Sequence, residues 1–226
     1  MKSFEKVKEE IIERAVKYYD DYSTNCVHMN RTTNKSELLN VITEDWHWYM
    51  GKVFNSTFLE ESFEEDELHE AGIYTSGIHE LEDKTIFACG SSTVKAYGCS
   101  VKACENSTVE ACDGSEVIAY CGATVEAYCG ATVKAYDGAT VEAYGDSLVT
   151  TYGATVKAYD GATVEAYDFS FVKSTGNSVV EVYGDAYVVD LHGECVTKLN
   201  DNTIFKDCEN QKIYIKKGQF EIIEVE

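Results

Sequence analysis

From about Thr85 to Asn210, apolar and polar residues alternate in short runs that recur every eight residues. The repeat is cleanest as Gly-Ala-Thr-Val-Glu-Ala-Tyr-Cys at 122–129 and Gly-Ala-Thr-Val-Lys-Ala-Tyr-Asp at 130–137. Its valine recurs from Val94 through Val101, Val109 and Val117 to Val188, in steps of eight apart from two of seven. Within each run Val and Ala fall on one side, and Thr, Glu or Lys, and Tyr on the other, the period-two signature of a half-buried strand about five residues long. A coiled coil would need apolar spacing near 3.5 without glycine, whereas nearly every octad carries Gly or Asn where the chain must turn.

One such strand cannot bury its Val/Ala face alone, so successive octads must stack and share a continuous core. Two octads per coil predict a flattened roll of two sheets; three, a triangular prism, is the alternative. Sixteen octads at two per coil make a rod about 38 Å long. On the two-octad reading, residues fifteen or sixteen apart stack. One outer face then carries Cys89, Cys104, Tyr120, Tyr136, Tyr152, Tyr167 and Tyr183, and the other Tyr97, Cys112, Tyr128, Tyr144 and Tyr159. Tyr120, Tyr136, Tyr152 and Tyr167 are candidate partner contacts, since amphipathic aromatics are favoured at interfaces. The alternative is that the ladders only stabilise neighbouring strands.

The pattern before the octads is helical. Phe4, Val7, Ile11, Ile12, Ala15, Val16 and Tyr19 predict an amphipathic helix over 4–22. Asn34 and Glu37 form a candidate capping box ahead of a second helix carrying Leu38, Leu39, Ile42, Trp46, Tyr49 and Met50; Ser62 with Glu65 opens a third that closes at Gly72. The expected architecture is thus a mainly β octad-repeat β-solenoid with an α-helical N-terminal cap. Residues 1–76 form the cap or interaction domain, 77–210 the solenoid and 211–226 the closing strands, namely 212–216 and 220–225. Cap and closing strands would shield edges that otherwise recruit other chains.

Charge narrows the function classes. The chain carries 40 Asp and Glu against 19 Lys and Arg, a formal net charge of −21. That argues against direct nucleic-acid binding or an anionic membrane surface and favours a basic partner. Between Thr85 and Asn210, 18 acidic residues and 7 lysines leave −11. This is one charge per about 3.5 Å of rod, against about 1.7 Å for duplex DNA. The densest run is Glu60, Glu61, Glu64, Glu65, Asp66, Glu67 and Glu70. It lacks the loop spacing that wraps carboxylates around calcium, and is read as a solvated helix face or as a recognition patch for basic protein.

Nine cysteines without a Cys-x-x-Cys pair argue against zinc and for free thiols in a reducing compartment. No nucleophile–base pair, phosphate loop or cofactor motif appears, so the expectation is a non-enzyme without cofactor or metal. The N-terminus shows no apolar signal region and no segment has transmembrane length, so the expected compartment is the cytoplasm of a bacterial host. The Ala-Thr-Val-x-Ala-Tyr octads, preceded by a Trp-bearing helical segment and Ala-Gly-Ile-Tyr-Thr at 71–75, resemble octad-repeat proteins of gut bacteria and their phages. The resemblance covers most of the chain and implies the fold and a phage or prophage origin, with no catalytic residues to carry over. Cys in place of Tyr at 89, 104 and 112 and a heavier acidity depart from the pattern. The function this leads one to expect is a non-catalytic acidic inhibitor that occludes a basic nucleic-acid-binding surface, a DNA mimic, with phage anti-defence as the setting the resemblance implies; the alternative is a passive structural or adhesive rod.

Overall fold

The computed structural model of the chain describes residues 2–18, 24–191, 196–200 and 202–215. Six helices come first: α1 (Phe4–Tyr18), α2 (Thr24–Arg31), α3 (Lys35–Glu44), α4 (Trp46–Tyr49), α5 (Ser56–Ser62) and α6 (Glu65–Glu70). Strands follow: β1 (Ile73–Tyr74), β2 (Ile78–Glu82), β3 (Thr85–Ala88), β4 (Thr93–Tyr97), β5 (Ser100–Ala103), β6 (Thr108–Cys112), β7 (Glu116–Ala119), β8 (Thr124–Ala127) and β9 (Thr132–Tyr136). The series continues with β10 (Thr140–Ala143), β11 (Leu148–Tyr152), β12 (Thr155–Ala158), β13 (Thr163–Tyr167) and β14 (Phe171–Ser174). It ends with β15 (Val179–Val182), β16 (Tyr187–Asp190), β17 (Val196–Leu199), β18 (Ile204–Asp207) and β19 (Lys212–Tyr214).

Odd-numbered strands β1 to β17 make a nine-stranded sheet, and even-numbered strands β2 to β18, with β19, a ten-stranded one. Pairing is parallel and in register, with Val133 opposite Val149 and Val141 opposite Val156, so each coil holds two octads. The prism is thereby excluded. Each octad sends three residues inward rather than two. Besides Val and Ala of the strand, the small residue closing each turn is buried, as at Ala123, Ala131, Ser107 and Ser115. The hydroxyls of Ser107 and Ser115 donate to the carbonyls of Cys104 and Cys112 at 2.8 and 2.7 Å, so these inward polar groups are satisfied. Turns such as Asp113-Gly114 and Cys129-Gly130 place two successive residues at positive φ, which explains why the octad spends a glycine there.

The helical segment differs in detail from expectation. α1 is described to Tyr18, residues 19–22 lie outside the described part, and α2 follows unforeseen. The second predicted helix breaks at Asp45 into α3 and α4. Asn34 does cap α3, accepting from Glu37 N at 2.9 Å, but the Glu37 carboxylate reaches back to Thr33 N rather than to Asn34 N. Ser62 ends α5 instead of opening a helix. Asn55 caps α5, accepting from Phe58 N at 3.1 Å, and α6 begins after Glu64. The short Asn55-Ser-Thr-Phe signal outcompetes Ser62 because its side chain faces free N–H groups, whereas the Ser62 side chain is buried.

The helices do more than shield an edge. They lie against the outer face of the nine-stranded sheet, where Phe87, Cys89 and Cys104 join one core with Trp46, Leu39, Ile42, Phe58, Leu59 and Phe63. Trp46 contacts the Phe87 ring at a centroid distance of 5.1 Å. β1, under α6, is buried; β2, the matching edge of the other sheet, stays open, with Ile78 76% exposed and Glu80 and Glu82 beside it. At the far end β19 pairs antiparallel with β18; the expected strand at 220–225 lies outside the described residues.

Candidate interaction surface

α5 and α6 carry the acidic run because their inward positions are taken by Phe58, Leu59 and Leu68, leaving the intervening carboxylates no course but outward. Glu60, Glu61, Glu64, Glu65, Asp66 and Glu70 are exposed. Glu67 is set apart: it accepts from Lys35 at 2.9 Å and from Glu64 N at 2.9 Å, tying α6 to α3 and capping its own helix. Burial opposes these bonds, yet the carboxyl is held below its ordinary value. It is a structural residue, not a free recognition group. Glu61 sits 3.9 Å from Lys2 and Glu65 3.8 Å from His69, distances that leave both carboxylates largely hydrated. A cleft of about 270 Å³ between α6 and β1 is lined by Glu60, Glu64, Glu65 and His69 over Phe63 and Ile73.

The tyrosine ladder of the nine-stranded sheet forms as expected. Tyr120, Tyr136, Tyr152, Tyr167 and Tyr183 stack with successive centroid distances of 5.5, 5.4, 5.1 and 4.8 Å. Its first rung was not foreseen: His47 of α4 stacks on Tyr120 at 4.3 Å, so the cap continues the ladder. Partial burial, then Lys52 nearby, lowers the His47 pKa. Only the three-dimensional docking of α4 reveals this, since His47 lies 73 positions before Tyr120 in the chain.

Cysteines at 89 and 104 have the same cause. These ladder positions lie beneath the cap, where a tyrosine ring would occupy the space of Trp46, and a thiol fits as a small apolar group. Burial drives the Cys104 thiol up to about 12, with the Glu105 charge adding and the neighbouring Trp46 indole opposing; burial likewise raises Cys89 strongly. Both are inert thiols. Cys121 and Cys129 are exposed, and Cys89, Cys99, Cys104, Cys112, Cys121, Cys129 and Cys208 are free.

Glu105, another residue the octad pattern concealed, fastens the two parts together. It sits at φ 58° in a turn, a left-handed conformation costing about 1–2 kcal/mol for a residue with a Cβ. From there its carboxylate accepts from Ser56 N at 3.1 Å and Gly90 N at 3.0 Å. The first contact places a negative charge at the start of α5. At Gly90 a Cβ would come within 2.4 Å of Thr75 O, so the close approach requires glycine.

On the solenoid walls much of the charge is internally engaged. Tyr128 and Tyr144 donate their hydroxyls to Glu126 and Glu142 at 2.8 Å, and Tyr183 donates to Glu181. Lys157 pairs with Glu142 at 2.6 Å, Lys95 with Glu110 at 2.9 Å, and Lys198 with Glu181. The Glu126 carboxylate in turn raises the Tyr128 phenol to about 12. Lys102 lies 5.4 Å over the Phe87 ring. A shallow groove of about 170 Å³ between Ser100, Ile118, Thr132 and Lys134 lies on the nine-stranded face.

Among the described residues no three His, Cys, Asp or Glu side chains converge as a metal-holding group, and no described helix is long and apolar enough to cross a membrane. Comparison with protein-family models, with curated proteins and with solved structures returns no match for this chain.

Proposed function

We propose that the protein is a non-catalytic acidic binding protein that occupies a basic, nucleic-acid-binding surface of a partner protein. This is the role of a DNA mimic, of the kind a phage uses against host defence if the resemblance of the octads extends to origin. The observation that carries the reading is the set of six exposed carboxylates on α5 and α6, few of which have a close cation. Wall glutamates Glu110, Glu142 and Glu181 are paired with lysine, whereas Glu60, Glu64, Asp66 and Glu70 have no ion pair among the described residues, so the cap carries the densest cluster of uncompensated charge although the rod also keeps a net negative charge. Tyr120, Tyr136, Tyr152 and Tyr167 run from under that cap, offering desolvated contacts beside the charged ones.

Binding to such a partner competes with duplex DNA or RNA and weakens steeply with salt, because exposed charges are screened within about 8 Å at physiological ionic strength. Replacing Glu60, Glu64 and Glu65 together by Lys lowers affinity chiefly through association rate, whereas Tyr136→Ala with Tyr152→Ala raises dissociation rate. Glu67 is left intact in this test because its loss would disturb α6 itself. A second reading, a passive scaffold, is favoured by the ladders' self-sufficiency: ring stacks on ring, and hydroxyls at 128, 144 and 183 end on carboxylates of their own strands. A partner captured from host lysate that retains normal nucleic-acid binding in the complex, with affinity indifferent to salt, would sink the mimic and leave the scaffold.

A further inference from the structure

The two outer faces are not equally available. Helices cover the start of the nine-stranded face, whereas among the described residues no helix joins a core with the outer face of the ten-stranded sheet. The middle row of that face, one residue from each stacked strand, changes sign halfway: Glu110, Glu126 and Glu142 are followed by Lys157 and Lys173, then Val189 and Lys206. The neighbouring row changes size at nearly the same place. Thr108, Thr124, Thr140 and Thr155 give way to Phe171 and Tyr187, whose rings meet at a tilt of 36° with centroids 5.6 Å apart, with Phe171 38% exposed.

We infer that this face is a self-association surface whose occupant is a second copy of the same chain, laid on it with the rod reversed. A twofold axis parallel to the strands and midway between β10 and β12 superposes each row on the same row of the partner, in opposite order. Glu142 then meets the partner's Lys157, and Glu126 meets the partner's Lys173. Small meets large in the next row, with Thr124 against the partner's Phe171 and Thr108 against the partner's Tyr187. Within one chain Glu126 receives only the Tyr128 hydroxyl, and Lys173 has no ion pair among the described residues, so these two are the groups a second copy would complete. At the rim, Lys206 approaches the partner's Lys95, which is already neutralised by its 2.9 Å pair with Glu110. Nine strands about 4.8 Å apart and about 15 Å long present roughly 600 Å² per copy, the lower end of what a specific interface needs. A foreign basic partner would be repelled by the lysine half; a second copy satisfies both halves.

Sedimentation velocity of the full chain at neutral pH and low salt tests this. The expected result is a concentration-dependent species near twice 25.2 kDa. Lys173→Glu or Glu126→Lys alone, each placing like charges opposite one another twice per dimer, weakens association about tenfold or more, and the double variant restores it. Both positions face outward, so circular dichroism of the singles matches the parent. A chain monomeric to about 100 µM, single variants that associate as the parent does, or a double variant no tighter than the singles would each overturn the inference.

Discussion

The cap and the solenoid solve the same packing problem with opposite means. In the cap, Trp46, Tyr49, Phe58, Leu59 and Phe63 fill one irregular core, each touching residues distant in sequence. In the solenoid, mainly Val and Ala, with small Ser and Thr at some positions and larger groups such as Ile86 and Phe205 only towards the ends, fill a narrow slot coil after coil, and each coil is held chiefly by its two neighbours. The first depends on a few large side chains, the second on many small ones repeated. Damage should therefore be global in the cap and local in the rod.

The largest expected effect tests the slot. Val141 is fully buried between in-register valines at 125 and 156, so Val141→Asp leaves an unpaired carboxylate there at about 3–5 kcal/mol and opens the middle of the rod. Thr140→Asp, one residue away and outward, changes the melting temperature little; equal losses for the two would show that the faces are assigned wrongly. Next is the joint. Trp46→Ala removes the ring against Phe87 and costs about 3–5 kcal/mol, undocking the cap while hydrogen exchange of β9 to β13 stays protected. Loss of protection along the whole rod would mean that the two regions fold as one unit.

A smaller effect is expected where the two designs collide. Cys104→Tyr restores the octad residue but overpacks the joint, costing about 1–3 kcal/mol, whereas Cys121→Tyr on the exposed corner is near neutral in thermal unfolding. The least effect is a dependence on pH. The folded His47 has a pKa below the ordinary 6.5, so the unfolded chain binds more protons as pH falls past that value. Its contribution is full above about pH 6.5 and declines as pH drops through the depressed folded value. His47→Phe keeps the stack on Tyr120 and should flatten that part of the profile in paired melts between about pH 7.5 and pH 5.5.

How much of this was readable beforehand follows from where the interactions lie along the chain. The octad's inward Val and outward Tyr are local, periodic facts, whereas two octads per coil rather than three was decided by which strands pair, Val133 with Val149 and Val141 with Val156. The acidic run was legible too, but not the separate duty of Glu67, because its partner Lys35 is 32 residues away. Ser62 misled because capping signals compete, and Asn55 had the free N–H groups. Phe169, 80% exposed where most octads have glycine, was visible as a departure from the repeat and passed over.

By itself the sequence determined the repeating strand, its buried side and the excess of negative charge, because a period of two and a glycine-marked turn act within a few residues. Only the tertiary structure decided which octads stack on one another, that the described helices lie on one face, that thiols replace phenols beneath them, and that His47 begins the tyrosine ladder. Those outcomes depend on which surfaces meet across dozens of residues, where steric fit between Trp46 and the sheet decides and no local pattern records the choice.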